Sequence, residues 1–192
     1  LTRLPGLREA VEAAPRGGRE LLTVLEELAD RMALAARRTA PGKAVEVYAM
    51  LARAGGLPVA VRGGPPPLSP AQYADFAAET IARLESSGFY EEARPLRSAL
   101  AAGRLPVYDL ARSYLLGDTG FVDHVAEEAG APAWLVRVLA ATLAAGAARA
   151  VRLLLEEREA LPEARGGACP VCGRPLVEGR CGFCGYGEGR SL

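Results

Sequence analysis

Residues 132–161 read PAWLVRVLAATLAAGAARAVRLLLEEREAL, and this stretch decides the class of fold. Pro132 suits the opening of a helix, where its missing N–H has no partner to lose. Leu135, Leu139, Leu143, Ala150, Leu153 and Leu154 are apolar, and the middle is Ala140-Ala141, Ala144-Ala145, Gly146 and Ala147-Ala148. Small side chains around the whole circumference let neighbours approach from every side, so the stretch predicts the central helix of a bundle. The helix is expected to run to about Leu161, with a solvated Glu156-Glu157-Arg158-Glu159 end, before Pro162 and Gly166-Gly167 break it.

Upstream, the pattern keeps a helical period. Leu21, Leu25, Leu28, Met32 and Ala35 advance by fours and threes between Gly18 and Arg38, the stripe of an amphipathic helix. A shorter helix is expected within Leu1 to Ala14. Ala44, Val47, Tyr48 and Leu51 form a second stripe behind Pro41. Residues 57–67, with Gly63-Gly64 followed by Pro65-Pro66-Pro67, read as a non-helical surface connection. Ser69-Pro70-Ala71-Gln72 is a capping box, followed by Tyr73, Phe76, Ala77, Thr80, Ile81 and Leu84. Phe89 to Gly103 is a weaker helix with Pro95 expected near its start. Val107 to Leu115 makes a turn and a half, and Asp118 or Thr119 caps a further helix that ends at Gly130. Residues 1–163 are thus expected to form an all-α bundle of six to seven helices.

Downstream lie the only four cysteines, Cys169, Cys172, Cys181 and Cys184, spaced C-x₂-C-x₈-C-x₂-C. Two residues between thiols let a pair turn inward, and Gly173 and Gly185 supply a position that tolerates positive φ. Two such knuckles offer four soft ligands at tetrahedral corners, which suits Zn²⁺; iron in the same thiolates would make a rubredoxin-like centre. The competing readings are two disulfides or a redox dithiol, disfavoured by the low apolar content of the segment and by the matched pairs. Residues 164–192 are therefore expected to be a small zinc-ribbon or rubredoxin-like module, with short strands flanking a turn at Gly179.

Composition limits function further. Lys and Arg total 23 and Asp and Glu also 23, so the chain is formally neutral and lacks the basic surplus that nucleic-acid binding uses. Arginines and glutamates interrupt every apolar run, so no membrane span is expected, and no leader is expected either. The expected location is the cytoplasm.

Catalytic chemistry finds little support. His124 is the one histidine and has no identifiable partner. Acidic pairs such as Glu26-Glu27, Glu91-Glu92 and Glu127-Glu128 are adjacent, so on a helix they diverge. No Gly-rich phosphate loop, H-E-x-x-H or G-x-S-x-G occurs. Four cysteines fill a tetrahedral shell and leave no place for a reactive water. The chain reads as a non-enzyme, with no catalytic residue assigned.

Leu115-Leu116-Gly117-Asp118, then Val125-Ala126-Glu127-Glu128-Ala129-Gly130-Ala131-Pro132 and Leu135 to Leu139, lead into Cys169-Pro170-Val171-Cys172-Gly173-Arg174-Pro175. This order resembles the formate dehydrogenase accessory protein (FdhE) family, in a shortened form with a single C-terminal metal module. The resemblance implies a cytoplasmic maturation factor that binds the catalytic subunit of a molybdenum- or tungsten-dependent formate dehydrogenase. It also implies that Cys169, Cys172, Cys181 and Cys184 bind metal. A homo-oligomer is compatible with this reading. The alternative is a zinc-ribbon nucleic-acid or transcription-associated protein, using Arg165, Arg174, Arg180 and Arg190, with Phe183 and Tyr186 stacking on bases.

Overall fold

The computed structural model describes residues 6–15, 18–66, 68–164 and 166–187. Its helices are α1 (Leu7–Glu12), α2 (Arg19–Thr39), α3 (Gly42–Ala54), α4 (Val59–Gly63), α5 (Pro70–Leu84), α6 (Tyr90–Ala101), α7 (Val107–Leu116), α8 (Thr119–Ala129) and α9 (Ala133–Glu156). α5 and α6 are joined through Glu85–Phe89, which kinks at Gly88, where φ is 93°. The architecture is mainly helical, as expected, with no strand among the described residues.

Every residue of α9 from Val138 to Val151 is buried. Its principal partner is α2, with α7, α8 and α1 packed around the rest. The physical reason is side-chain size. A Cβ on Gly146 would lie 2.8 Å from Met32 Sδ and 3.1 Å from the Ala29 carbonyl oxygen, so α2 seats where α9 has no side chain. α9 is long and apolar enough to cross a membrane by length and composition, contrary to the sequence expectation. However, 89% of its most apolar window is buried inside the protein. The helix ends at Glu156, short of Leu161.

Local signals set most boundaries. Ser69 Oγ accepts from the Gln72 amide at 3.2 Å while Gln72 Oε1 accepts from the Ser69 amide at 2.9 Å. Asp118 Oδ1 accepts from the Phe121 amide at 3.1 Å and caps α8. Pro95 does not open α6: the helix starts at Tyr90, directly after the kink at Gly88, and leaves the proline in its second turn. α7 is a ten-residue helix rather than a turn and a half.

Two expectations fail for tertiary reasons. Residues 57–67 are not wholly a surface connection: Val59 and Ala60 are buried in the short helix α4. The first amides of a helix have no partner within it; here Val59 N–H donates to the Pro170 carbonyl at 3.1 Å and Ala60 N–H to that of Val171 at 2.8 Å. The acceptors come from more than a hundred residues away in sequence, so no local pattern announces the helix. In α3 the buried face is Val45, Tyr48, Ala49 and Ala52, which turns the predicted Val47 to the outside.

Candidate metal centre

The two C-x₂-C segments fold identically at the backbone. Gly173 N–H donates to the Cys169 carbonyl at 2.8 Å, and Gly185 N–H to that of Cys181 at 2.9 Å. Cys169 N–H in turn donates to the Arg174 carbonyl, and Cys181 N–H to the Tyr186 carbonyl, both at 2.7 Å. Gly173 and Gly185 take φ of 78° and 75°, the left-handed conformation that a Cβ disfavours. Between them Glu178 and Gly179 both have positive φ, at 51° and 74°. Val177 and Arg180 exchange reciprocal backbone bonds of 2.9 Å across them, which makes a type I′ hairpin turn. The expected strands are reduced to single antiparallel bridges, Ala168 with Pro175, Val177 with Arg180, and Arg180 with Gly187.

This arrangement brings all four predicted sulfurs together, within 4.8 Å of one another, and all four residues are buried. Cys169 Sγ lies 3.5 Å from Cys184 Sγ, and Cys172 Sγ 3.5 Å from Cys181 Sγ. A disulfide is about 2.05 Å long, whereas a tetrahedron with metal–sulfur bonds of about 2.3 Å has edges of about 3.8 Å. The donor set thus fits a metal ion of tetrahedral preference. The electrostatics agree. Hydrogen bonds shared among the thiols, chiefly with Cys169, pull Cys181 below the ordinary thiol range and push Cys184 well above it. Likewise the Cys169–Cys172 bond lowers Cys169 and raises Cys172. A bound cation would let all four sulfurs ionise together.

Comparison with protein-family models, curated proteins and solved structures finds no match to this chain.

The helical scaffold grips the centre through side chains that motif reading did not single out. Arg149 Nε donates to the Phe183 carbonyl at 3.1 Å and Arg152 Nε to the Cys184 carbonyl at 2.9 Å. Arg149 Nη1 also donates to the Glu26 carbonyl at 3.0 Å and to Asp30 Oδ1 at 2.8 Å, and Nη2 pairs with the Glu26 carboxylate. Burial opposes the Arg149 charge, but Glu26 and Asp30 more than offset it and hold the guanidinium protonated. The sequence did contain a signal: Arg149 is the only charged residue between Val138 and Val151.

Arg174 lies over two rings, 4.0 Å from the centre of Phe183 and 5.6 Å from that of Tyr114 on α7. Tyr186 Oη donates to the Pro162 carbonyl and accepts from the Ala164 amide, both at 3.1 Å. Phe183 and Tyr186 are buried, so neither ring is presented for stacking on bases. Arg165 and Arg190 lie outside the described residues. The four cysteines, Phe183 and Tyr186 belong to one contiguous core with the helices.

Other candidates stay apart. His124 is 61% exposed and meets Glu128 at 3.5 Å on its own helix. Trp134 packs edge-on against Phe89 with centroids 4.9 Å apart. Neither reaches the cysteine cluster.

Proposed function

We propose that this chain is a non-catalytic accessory factor that binds a client oxidoreductase, with a Cys₄ zinc centre shaping part of its surface. The observation that carries the reading is the saturated sulfur shell: Cys169, Cys172, Cys181 and Cys184 occupy the four corners of a buried site. A catalytic zinc keeps a coordination position for water or substrate; four thiolates at this geometry leave none, so the ion's work is structural. The matched knuckles and the type I′ turn between them support a reduced zinc-ribbon or rubredoxin-like module. Zinc is the default ion for a closed tetrahedral Cys₄ site, and iron in the same four thiolates is the alternative.

The client follows from the sequence resemblance: the catalytic subunit of a formate dehydrogenase. The module then acts in the cytoplasm, where reducing conditions keep the thiols available for metal. The test is affinity capture of the intact, metal-loaded protein from its native host. Recovery of an apo formate dehydrogenase or related oxidoreductase subunit is the expected result, and its absence refutes the client reading. Elemental analysis settles the ion: one zinc per colourless chain is expected, and a red protein with thiolate-to-iron charge-transfer bands overturns that assignment.

A further inference from the structure

α3 has a second apolar face that the protein does not use. Val45, Tyr48, Ala49 and Ala52 point into the core, while Val47 and Met50 on the opposite side are 46% and 58% exposed. Ala54 continues the exposed line, and Leu57, 60% exposed, extends it past the end of the helix. Positions 47, 50 and 54 advance by three and four along α3, the spacing by which one helix seats against another; Leu57 lies beyond the break at Gly55 and Gly56, which both take positive φ. A contiguous apolar set of this kind marks an interaction surface, unlike singly scattered side chains.

The shape and charge of the face identify what it fits. Val47 and Met50 line a groove of about 660 Å³ whose edges are Lys43, Arg53 and Arg158, with Glu46 the one acid. Arg53 also lines a second cleft of about 510 Å³, together with Leu57 and with Cys169 and Pro170 of the first knuckle. Lys43, Arg53 and Arg158 take part in no salt bridge among the described residues. The chain as a whole is neutral, so this rim is a local positive excess. A second copy would bring that excess against itself across a two-fold axis.

We propose that the outer face of α3 docks an amphipathic helix of the client, with aliphatic residues along its seam and carboxylates on its flanks. This rests on the accessory-factor reading and names the surface and partner chemistry for it. From Lys43 to Ala54 the face is about 16 Å long, enough for about three turns of the incoming helix.

The probe is a labelled amphipathic peptide with leucine at seam positions and glutamate on the flanks, titrated into the full, metal-loaded chain by fluorescence anisotropy. A lysine-flanked twin serves as control. Saturable binding that weakens with salt is expected for the acidic peptide, at least about tenfold tighter than for its twin. Met50→Glu should reduce it about tenfold or more without moving the unfolding midpoint, and Met50→Ala should reduce it less. No binding, equal binding of both peptides, or indifference to Met50→Glu overturns the assignment. So does a dimer in sedimentation that Met50→Glu dissociates, because a second copy then owns the face. Capture of the oxidoreductase equally by wild type and Met50→Glu sinks this surface but keeps the accessory reading. Peptide binding without any captured oxidoreductase sinks that reading and keeps the surface.

Discussion

Arg149 Nε donates to the carbonyl oxygen of Phe183 at 3.1 Å, joining the middle of α9 to a residue 34 positions later in the chain. One turn further on, Arg152 makes the equivalent bond to Cys184 at 2.9 Å. Two guanidinium groups on one face of the central helix thus hold consecutive carbonyls of the second knuckle. The cysteine cluster is thereby tied directly to the central helix.

Arg149→Ala should lower stability by about 2–3 kcal/mol, measured by urea unfolding of the metal-loaded protein. The change strands the Phe183 carbonyl and leaves Glu26 without its cation. The lower part of the usual range for broken buried pairs applies because the partner carboxylates are 34% and 66% exposed. A loss under about 0.5 kcal/mol would mean that the contact contributes little.

Chelating the metal should destabilise the helices as well as the module. With the ion removed, the four cysteines lose their common partner, and Val171 and Phe183 lose the fold that packs them into the shared core. Circular dichroism at a helical wavelength should show one cooperative transition that moves to lower temperature on chelation, and Cys184→Ser should behave alike. A helical transition that ignores the metal would separate the two parts.

Alkaline pH should weaken the fold above about pH 10. Burial pushes the Tyr114 hydroxyl up to about 12 and raises those of Tyr73 and Tyr48 further. Tyr73 Oη donates to the Pro66 carbonyl at 2.9 Å and Tyr48 Oη to that of Gly64 at 3.2 Å. Above the ordinary tyrosine value, near 10, the native state binds more protons than the unfolded one, so stability falls as pH rises. Below that value these groups contribute no pH dependence. Phenolate absorbance should show at least three of the six tyrosines resisting ionisation until unfolding.

Gly146→Ala should destabilise by about 1 kcal/mol although alanine is the better helix former. The propensity gain is about 1 kcal/mol, but the new Cβ would stand 2.8 Å from Met32 Sδ and 3.1 Å from a backbone oxygen. Overpacking of that kind costs about 1–3 kcal/mol. A stabilised variant would show that α2 gives way.

His124→Ala should leave stability within about 0.5 kcal/mol and metal content unchanged, since the ring is 61% exposed and its one ion pair lies on the surface. A large effect would give His124 a role that its surroundings do not suggest.

The helical class and the convergence of the four cysteines were legible because each rests on short-range chemistry. The capping box at Ser69, the Asp118 cap and the C-x₂-C-G knuckles close hydrogen bonds within five residues. The α3 face was misread for the opposite reason. Ala44, Val45, Val47, Tyr48, Ala49, Met50, Leu51 and Ala52 are nearly continuous apolar sequence, so periodicity does not select which side turns inward.

By itself, the sequence determined a helical protein built on an Ala-rich core helix and a tail in which four thiols converge. Both follow from side-chain size and spacing along a few turns of chain. Only the tertiary structure decided that the tail would be clasped by Arg149 and Arg152, that α4 would form on the carbonyls of the first knuckle, and which apolar face of α3 would stay exposed. Each of these depends on donors and acceptors brought together from distant parts of the chain. No local period encodes such a meeting, because its free energy exists only once the partner surface has folded.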